Sequence, residues 1–144
     1  LQGCFTSNRP MGSLTLNNKC GVFGTLTESA LSICCGNEYK MGFKQEIKEG
    51  KATVLTTVSG CQAMEYEIEI ESIDCSSKDN TKNMTIRITD KRLLNETGGI
   101  VQGMSGSPII QDNKLVGAVT HVFIEDSSRG YAIFAENMFD CLSS

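Results

Sequence analysis

The sequence predicts an all-β fold, an antiparallel barrel or sandwich with little helix. Three observations carry this. Residues 64–71, Met-Glu-Tyr-Glu-Ile-Glu-Ile-Glu, alternate strictly with period two, as a strand does when one face is buried and the other solvated. Roughly ten short runs of alternating or β-branched residues follow one another along the chain, separated by Gly, Asn and Asp turn signals. The chain has only two prolines, and little of it has helical periodicity.

In order, residues 11–16 and 20–26 read as two strands around the turn Asn17-Asn18-Lys19. Leu31–Cys35 and Tyr39–Ile47 read as strands separated by Gly36-Asn37. Ala52–Ser59 is rich in β-branched residues. Met64–Glu71 follows, its four glutamates forming a solvated sheet face. Ser76–Lys82 is polar and aperiodic, a loop, and Asn83–Thr89 resumes the strand pattern. Asp90–Thr97 is a turn or short helix. Ile109–Gln111 and Leu115–Thr120 form a hairpin about Asp112-Asn113, where Asn113 suits positive φ. A strand over Thr120–Phe123, a polar loop over Ile124–Ser128, a last strand over Arg129–Phe134 and a short closing helix over Glu136–Leu142 complete the chain.

With 144 residues the chain can bury the core of one domain, and 1–144 is expected to be a single domain. The net charge is −4 without a basic run, which argues against nucleic acid or an anionic membrane as partner. No apolar stretch approaches the roughly 18 residues of a membrane span. Leu1-Gln2-Gly3-Cys4 has neither a basic nor an apolar signal region, so the chain reads as a piece of something longer. There are seven cysteines, Cys4, Cys20, Cys34, Cys35, Cys61, Cys75 and Cys141, and one histidine. Without a CxxC spacing a zinc site is not expected, nor is any cofactor. The cysteines are expected to be mostly reduced and to serve as small apolar residues. One or two disulfides would form in an oxidising compartment.

The chemistry concentrates in GGIVQGMSGSPIIQDNKLVGAVTHVF, residues 98–123. Ser105 stands between glycines, which permit a sharp bend. Such a bend can aim the N–H groups of Gly103 and Ser105 at one point, where an oxyanion can sit. Pro108 marks the start of the strand. If the hairpin turns on 112–113, Ser105 falls opposite Thr120, and Thr120–Phe123 runs past the serine, where an extended peptide can pair with it. His121 then lies opposite Met104, with its ring on the other face. It reads as a structural or pocket-wall residue rather than a base.

That run, ITDKRLL before it (residues 88–94), RGYAIFAENMF (129–139), CGVFGTL (20–26) and the stretch 41–71 resemble the stage IV sporulation protein B family of serine peptidases. The resemblance implies a secreted, membrane-associated serine endopeptidase acting between the mother-cell and forespore membranes. It would cleave regulators of a membrane-embedded metalloprotease, and its partner would be a protein or peptide substrate. It makes Ser105 the nucleophile and Asp90 its proposed acid partner, against a turn or capping role for Asp90. An aspartate fifteen positions before the serine is not where chymotrypsin-like enzymes keep theirs. The family is also similar, more distantly, to chymotrypsin-like peptidases, which implies that fold for the C-terminal half. By that likeness Thr120, His121 and Val122 bind the substrate backbone, and Tyr131 shapes the specificity pocket. Gly99, six residues before the serine, would lie in that pocket and favour an uncharged substrate side chain.

The family's Gly-His motif, PDZ domain and membrane anchor have no counterpart in these residues. A serine hydroxyl is a poor nucleophile until a base takes its proton, so the chain reads as the C-terminal part of the peptidase domain. Its base is expected before Leu1, and the piece alone is expected to be inactive. A missing portion would leave strand edges through which copies could associate. The alternative is a catalytically degenerate module that binds peptides along Thr120–Phe123 by strand addition.

Overall fold

The computed structural model describes residues 10–33, 37–60 and 62–142. They fall into two compact units, one on each side of the Glu38–Tyr39 junction. In the first, β1 (Gly12–Asn18) and β2 (Gly21–Leu26) form an antiparallel hairpin, followed by α1 (Glu28–Ile33). The sequence favoured a strand from Leu31. Instead Thr27 starts a helix, its hydroxyl accepting the Ala30 N–H at 3.2 Å, while Leu31 N–H reaches the Thr27 carbonyl at 3.0 Å. Threonine before an acidic first turn is an N-cap pattern, and it outweighs the short apolar run behind it. Cys34 and Cys35 lie outside the described residues, as do Cys4 and Cys61.

The second unit is a closed barrel. Its strands are β4 (Gly50–Thr56), β5 (Met64–Ile73), β6 (Met84–Ile88), β7 (Pro108–Gln111), β8 (Lys114–Val122) and β9 (Arg129–Phe134). They run in the ring order β8-β7-β4-β5-β6-β9, and β9 returns to β8. Every pairing in the ring is antiparallel. A short β3 (Lys40–Met41) lies parallel to β8. The expected strand Tyr39–Ile47 shrinks to these two residues, because the chain then turns. Glu46 donates its N–H to the Phe43 carbonyl and accepts the Phe43 N–H on its carboxylate. The helices are α2 (Lys91–Thr97), between β6 and β7, and α3 (Ala135–Leu142), directly after β9.

The alternation read in residues 64–71 is realised in β5. Tyr66, Ile68 and Ile70 point into the barrel, while Glu65, Glu67 and Glu69 face solvent. β6 repeats the pattern, with Met84, Ile86 and Ile88 buried. Together with Val54, Leu93, Ile109, Val119 and Phe134 they form one core. Ile86 is fully buried. Ile86→Ala should cost about 2–5 kcal/mol, the lost transfer energy plus the cavity left behind. Chemical denaturation should show it as a lower midpoint at unchanged slope.

Glu71 departs from the solvated face. A bulge between Ile70 and Ser72 turns it between Arg87 and Arg129, and it pairs with both. This ties β5 and β6 to the start of β9.

Two further bulges set the site. Val116 is an extra residue in β8, so beyond the Asp112-Asn113 turn (φ 50 and 58) the register slips by one and Pro108 pairs with Ala118. Thr120 is a second extra residue, between the pairs Val119–Ala132 and His121–Tyr131. Of the described cysteines, Cys20 and Cys141 are disulfide-bonded, which corrects the expectation of reduced thiols at those positions. Cys75 is free and exposed.

Candidate active site

The segment carrying Ser105 starts at the end of α2. Gly98 closes that helix in the left-handed conformation and donates to the Leu94 carbonyl. Ile100 N–H then bonds the Ser127 carbonyl at 2.7 Å. Two tight turns follow. Met104 N–H returns to the Val101 carbonyl at 3.1 Å, and Ser107 N–H to the Met104 carbonyl at 3.0 Å. The third position of each turn is a glycine with positive φ, Gly103 (103°) and Gly106 (89°), as a type II turn requires. Ser105 is thereby held at an exposed apex.

The turns use the amides of Met104, Gly106 and Ser107, and Gly106 donates to the Val119 carbonyl at 2.7 Å. Among the described residues the amides of Gly103 and Ser105 donate to no carbonyl. These are the two N–H groups that the sequence singled out. Ser105 Oγ donates to the Thr120 carbonyl at 3.0 Å. The bulge at Thr120 explains why that oxygen is available, since an extra residue leaves the ladder and re-aims its groups. The Thr120 hydroxyl in turn donates to the Thr81 carbonyl at 2.7 Å, fixing the bulge to the loop before β6. Ser105 and Thr120 therefore meet as expected, through a side chain and a bulge rather than as ladder partners.

After the bulge the strand is regular. Phe123 N–H donates to the Arg129 carbonyl, so strand alternation turns the amide and carbonyl of Val122 away from β9. That is the side on which the β7 ladder has ended at Pro108. Val122 shares a face with its partner Gly130, while His121 and Phe123 share the opposite face with Tyr131 and Arg129. On that second face Phe123 and Tyr131 pack with ring centroids 4.7 Å apart, and Lys82 stands over the Tyr131 ring. His121 is exposed and pairs with Tyr131 instead of lying opposite Met104. No hydrogen bond joins it to Ser105, whose hydroxyl is on Thr120.

Asp90 lies elsewhere in the network. It is buried and caps α2, accepting the Arg92 N–H at 2.8 Å and the Arg92 guanidinium at 2.7 and 3.1 Å. It also accepts the Glu67 N–H at 3.2 Å. All these bonds go to Arg92 and Glu67, and none to Ser105 or His121. The Arg92 guanidinium beside it holds the carboxyl well below the usual carboxylate range. A depressed acid contributes stability above its unfolded pKa, about 3.9, and loses it as pH falls through the folded value. Asp90→Asn keeps a capping oxygen but loses the charge that holds the Arg92 guanidinium, so it should destabilise by about 1–2 kcal/mol at neutral pH. The difference from the wild type should shrink below about pH 4, as thermal melts at pH 7 and pH 3 would show.

Gly99 is buried against the loop after β8. A Cβ there would meet the Ser127 carbonyl and lie 2.8 Å from Ser128 N, so backbone approach demands the glycine. The sequence reading missed Arg92, Thr81 and Ile100. An arginine two residues after an N-cap aspartate was a usable signal. Thr81 and Ile100 act through tertiary contacts that leave none.

A closed ring of six antiparallel strands with a short C-terminal helix is the barrel of the chymotrypsin-like fold, and the second unit has that architecture. The family model for SpoIVB peptidase S55 matches residues 1–139. The chain belongs to this family of serine peptidases. Among solved structures it is similar to the Rv3671c protease from M. tuberculosis in its active form, at 17% identity and TM-score 0.65, over 96% of this chain and 60% of that one. The inactive form of Rv3671c protease matches at 16% identity and TM-score 0.63, over 92% and 65%. A serine-to-alanine mutant in the inactive form matches at 15% and 0.64, over 92% and 63%. The chain thus spans 60–65% of the length of these proteases. No curated protein matches it.

Proposed function

We propose that the chain is the nucleophile-bearing part of a serine endopeptidase, with Ser105 as nucleophile and the amides of Gly103 and Ser105 as oxyanion hole. The observation that carries this is an exposed hydroxyl at a double glycine turn, beside two amides without carbonyl partners. In the reaction Ser105 Oγ attacks the scissile carbonyl as a base takes its proton. The oxyanion rests on the two amides. The base returns the proton to the leaving amine, and water releases the acyl group by the reverse steps. Thr120 and Val122 hold the substrate backbone as an added strand.

The base comes from outside these 144 residues, and without it the piece alone is inactive. Supporting this, the Ser105 proton is engaged with a carbonyl and His121 pairs on another face. The bonds of Asp90 support a positioning role, anchoring the helix that leads into the serine loop. Family membership supports action in sporulation, between the mother-cell and forespore membranes, on regulators of a membrane-embedded metalloprotease. An oxidising space of that kind is where disulfides such as those of Cys20 and Cys141 form. The parent would be membrane-associated, with no membrane contact by this segment. Copies would associate through the edges of the β1–β2 hairpin, which pairs only within itself among the described residues.

A fluorophosphonate probe tests the central claim. The full-length polypeptide containing residues 1–144 should label at Ser105, mapped by peptide mass spectrometry, and the 144-residue piece should label slowly or not at all. A second reading, a peptide-binding module without catalysis, draws on the same bond from Ser105 to Thr120. An unlabelled full-length protein that still binds extended peptides would establish it instead.

A further inference from the structure

We infer that the subsite for the substrate residue on the acyl side of the cut bond is short and apolar, closed by Ile100 and narrowed by Val122. It would admit alanine or valine and reject aromatic, long or charged side chains. The inference rests on the reading of Ser105 as nucleophile and adds the substrate class.

A peptide carbonyl seated at Ser105 Oγ and the Gly103 and Ser105 amides, with its chain added alongside Thr120–Val122, would direct its side chain toward the space between residues 100–103 and 120–122. Val122 lies on the face of β8–β9 that lines this gap, opposite Gly130. Gly130 leaves room that another residue occupies: the Ile100 side chain is buried, and its Cδ1 stands 2.7 Å from where a Gly130 Cβ would be. The base of the gap is thus filled by a branched aliphatic chain from the serine's own segment.

Behind Ile100 the way is also shut. Gly99 lies against the Ser127 backbone, and Ile100 N–H is bonded to the Ser127 carbonyl. The entrance carries the half-exposed Val101 and Val122. The nearest strong charge on β9, Arg129, is on the other face and paired to Glu71. A charged substrate side chain would therefore be desolvated without a partner, which is costly. A longer one would have to displace Ile100 from packed surroundings.

The test uses the full-length protein and peptidyl diphenyl phosphonates that differ only in the residue attached to phosphorus: Ala, Val, Leu, Phe, Lys or Glu. Ser105 Oγ displaces phenoxide, so the rate of phosphonylation reads the subsite directly. Ala and Val compounds should react at least about 100-fold faster than Phe, Lys or Glu, the scale that steric exclusion in a fitted pocket reaches. Val122→Gly, at a half-exposed position that does not support the core, should raise the Phe rate relative to Ala at least about 10-fold. Ile100→Val should shift the optimum toward Leu. Equal rates for Ala and Phe, a preference for Lys or Glu, or an unchanged Phe-to-Ala ratio in Val122→Gly would overturn the subsite while leaving the nucleophile intact, provided a simple fluorophosphonate labels Ser105. Absence of that label would overturn both.

Discussion

Ser105→Ala in the full-length protein should abolish peptide cleavage, with a loss of about 10³- to 10⁶-fold in kcat, as triad knockouts show. Peptide binding should survive, because the strand that receives the substrate keeps its position. Thr120 is held by Thr81 and β8 by both neighbours, whereas Ser105 gives Thr120 only one exposed hydrogen bond. The mutant should therefore melt within about 0.5 kcal/mol of the wild type, as surface substitutions usually do. Turnover at wild-type rate would remove Ser105 from the chemistry. A large drop in stability alongside lost turnover would leave a structural role for the hydroxyl.

The second large effect is expected at Gly99→Ala. The residue has φ of 139° and a neighbour's backbone where the methyl would go. Left-handed strain costs about 1–3 kcal/mol and overpacking against immobile backbone about as much again. A destabilisation of about 2–5 kcal/mol should appear in denaturant titrations. The loop over residues 124–128 should be pushed off the Ile100 amide, which bonds the Ser127 carbonyl. Fluorophosphonate labelling of the full-length mutant, measured below its melting transition, should slow, since the serine segment loses that attachment. A stable mutant with normal labelling would show that the loop yields freely.

Local patterns were legible and closure was not. The alternation of Met64–Glu71 predicted that Tyr66, Ile68 and Ile70 point inward, because a side-chain period of two is dictated by the backbone itself, whereas Met64, at the strand's end, is exposed. Asp112-Asn113 announced the β7–β8 turn, and both residues do take positive φ. Gly103, Ser105 and Gly106 could be read as a bend, because glycine alone tolerates that backbone cheaply. Barrel closure depends on β6 and β8 both meeting β9, pairings distant in sequence that no local pattern encodes. The bulges at Val116 and Thr120 likewise have no local signature, and the one at Val116 moves the predicted hairpin register by one. Leu31 looked like the start of a strand because apolar runs of that length fit either structure, and the Thr27 cap decides. For Asp90 the residue type allowed a cap or a catalytic acid. Only the position of Arg92 and the Glu67 amide separates them.

The bulge at Thr120 has one more consequence. Up to Val119 the eighth strand is flanked on both sides, by β7 or the serine turn and by β9. From Val122 onward no described strand pairs with its second side. A docked peptide would take that side as an added strand on the rim of the closed ring. Cutting the guest would split that added strand in two, leaving each half with fewer backbone bonds, so release would follow from the cut.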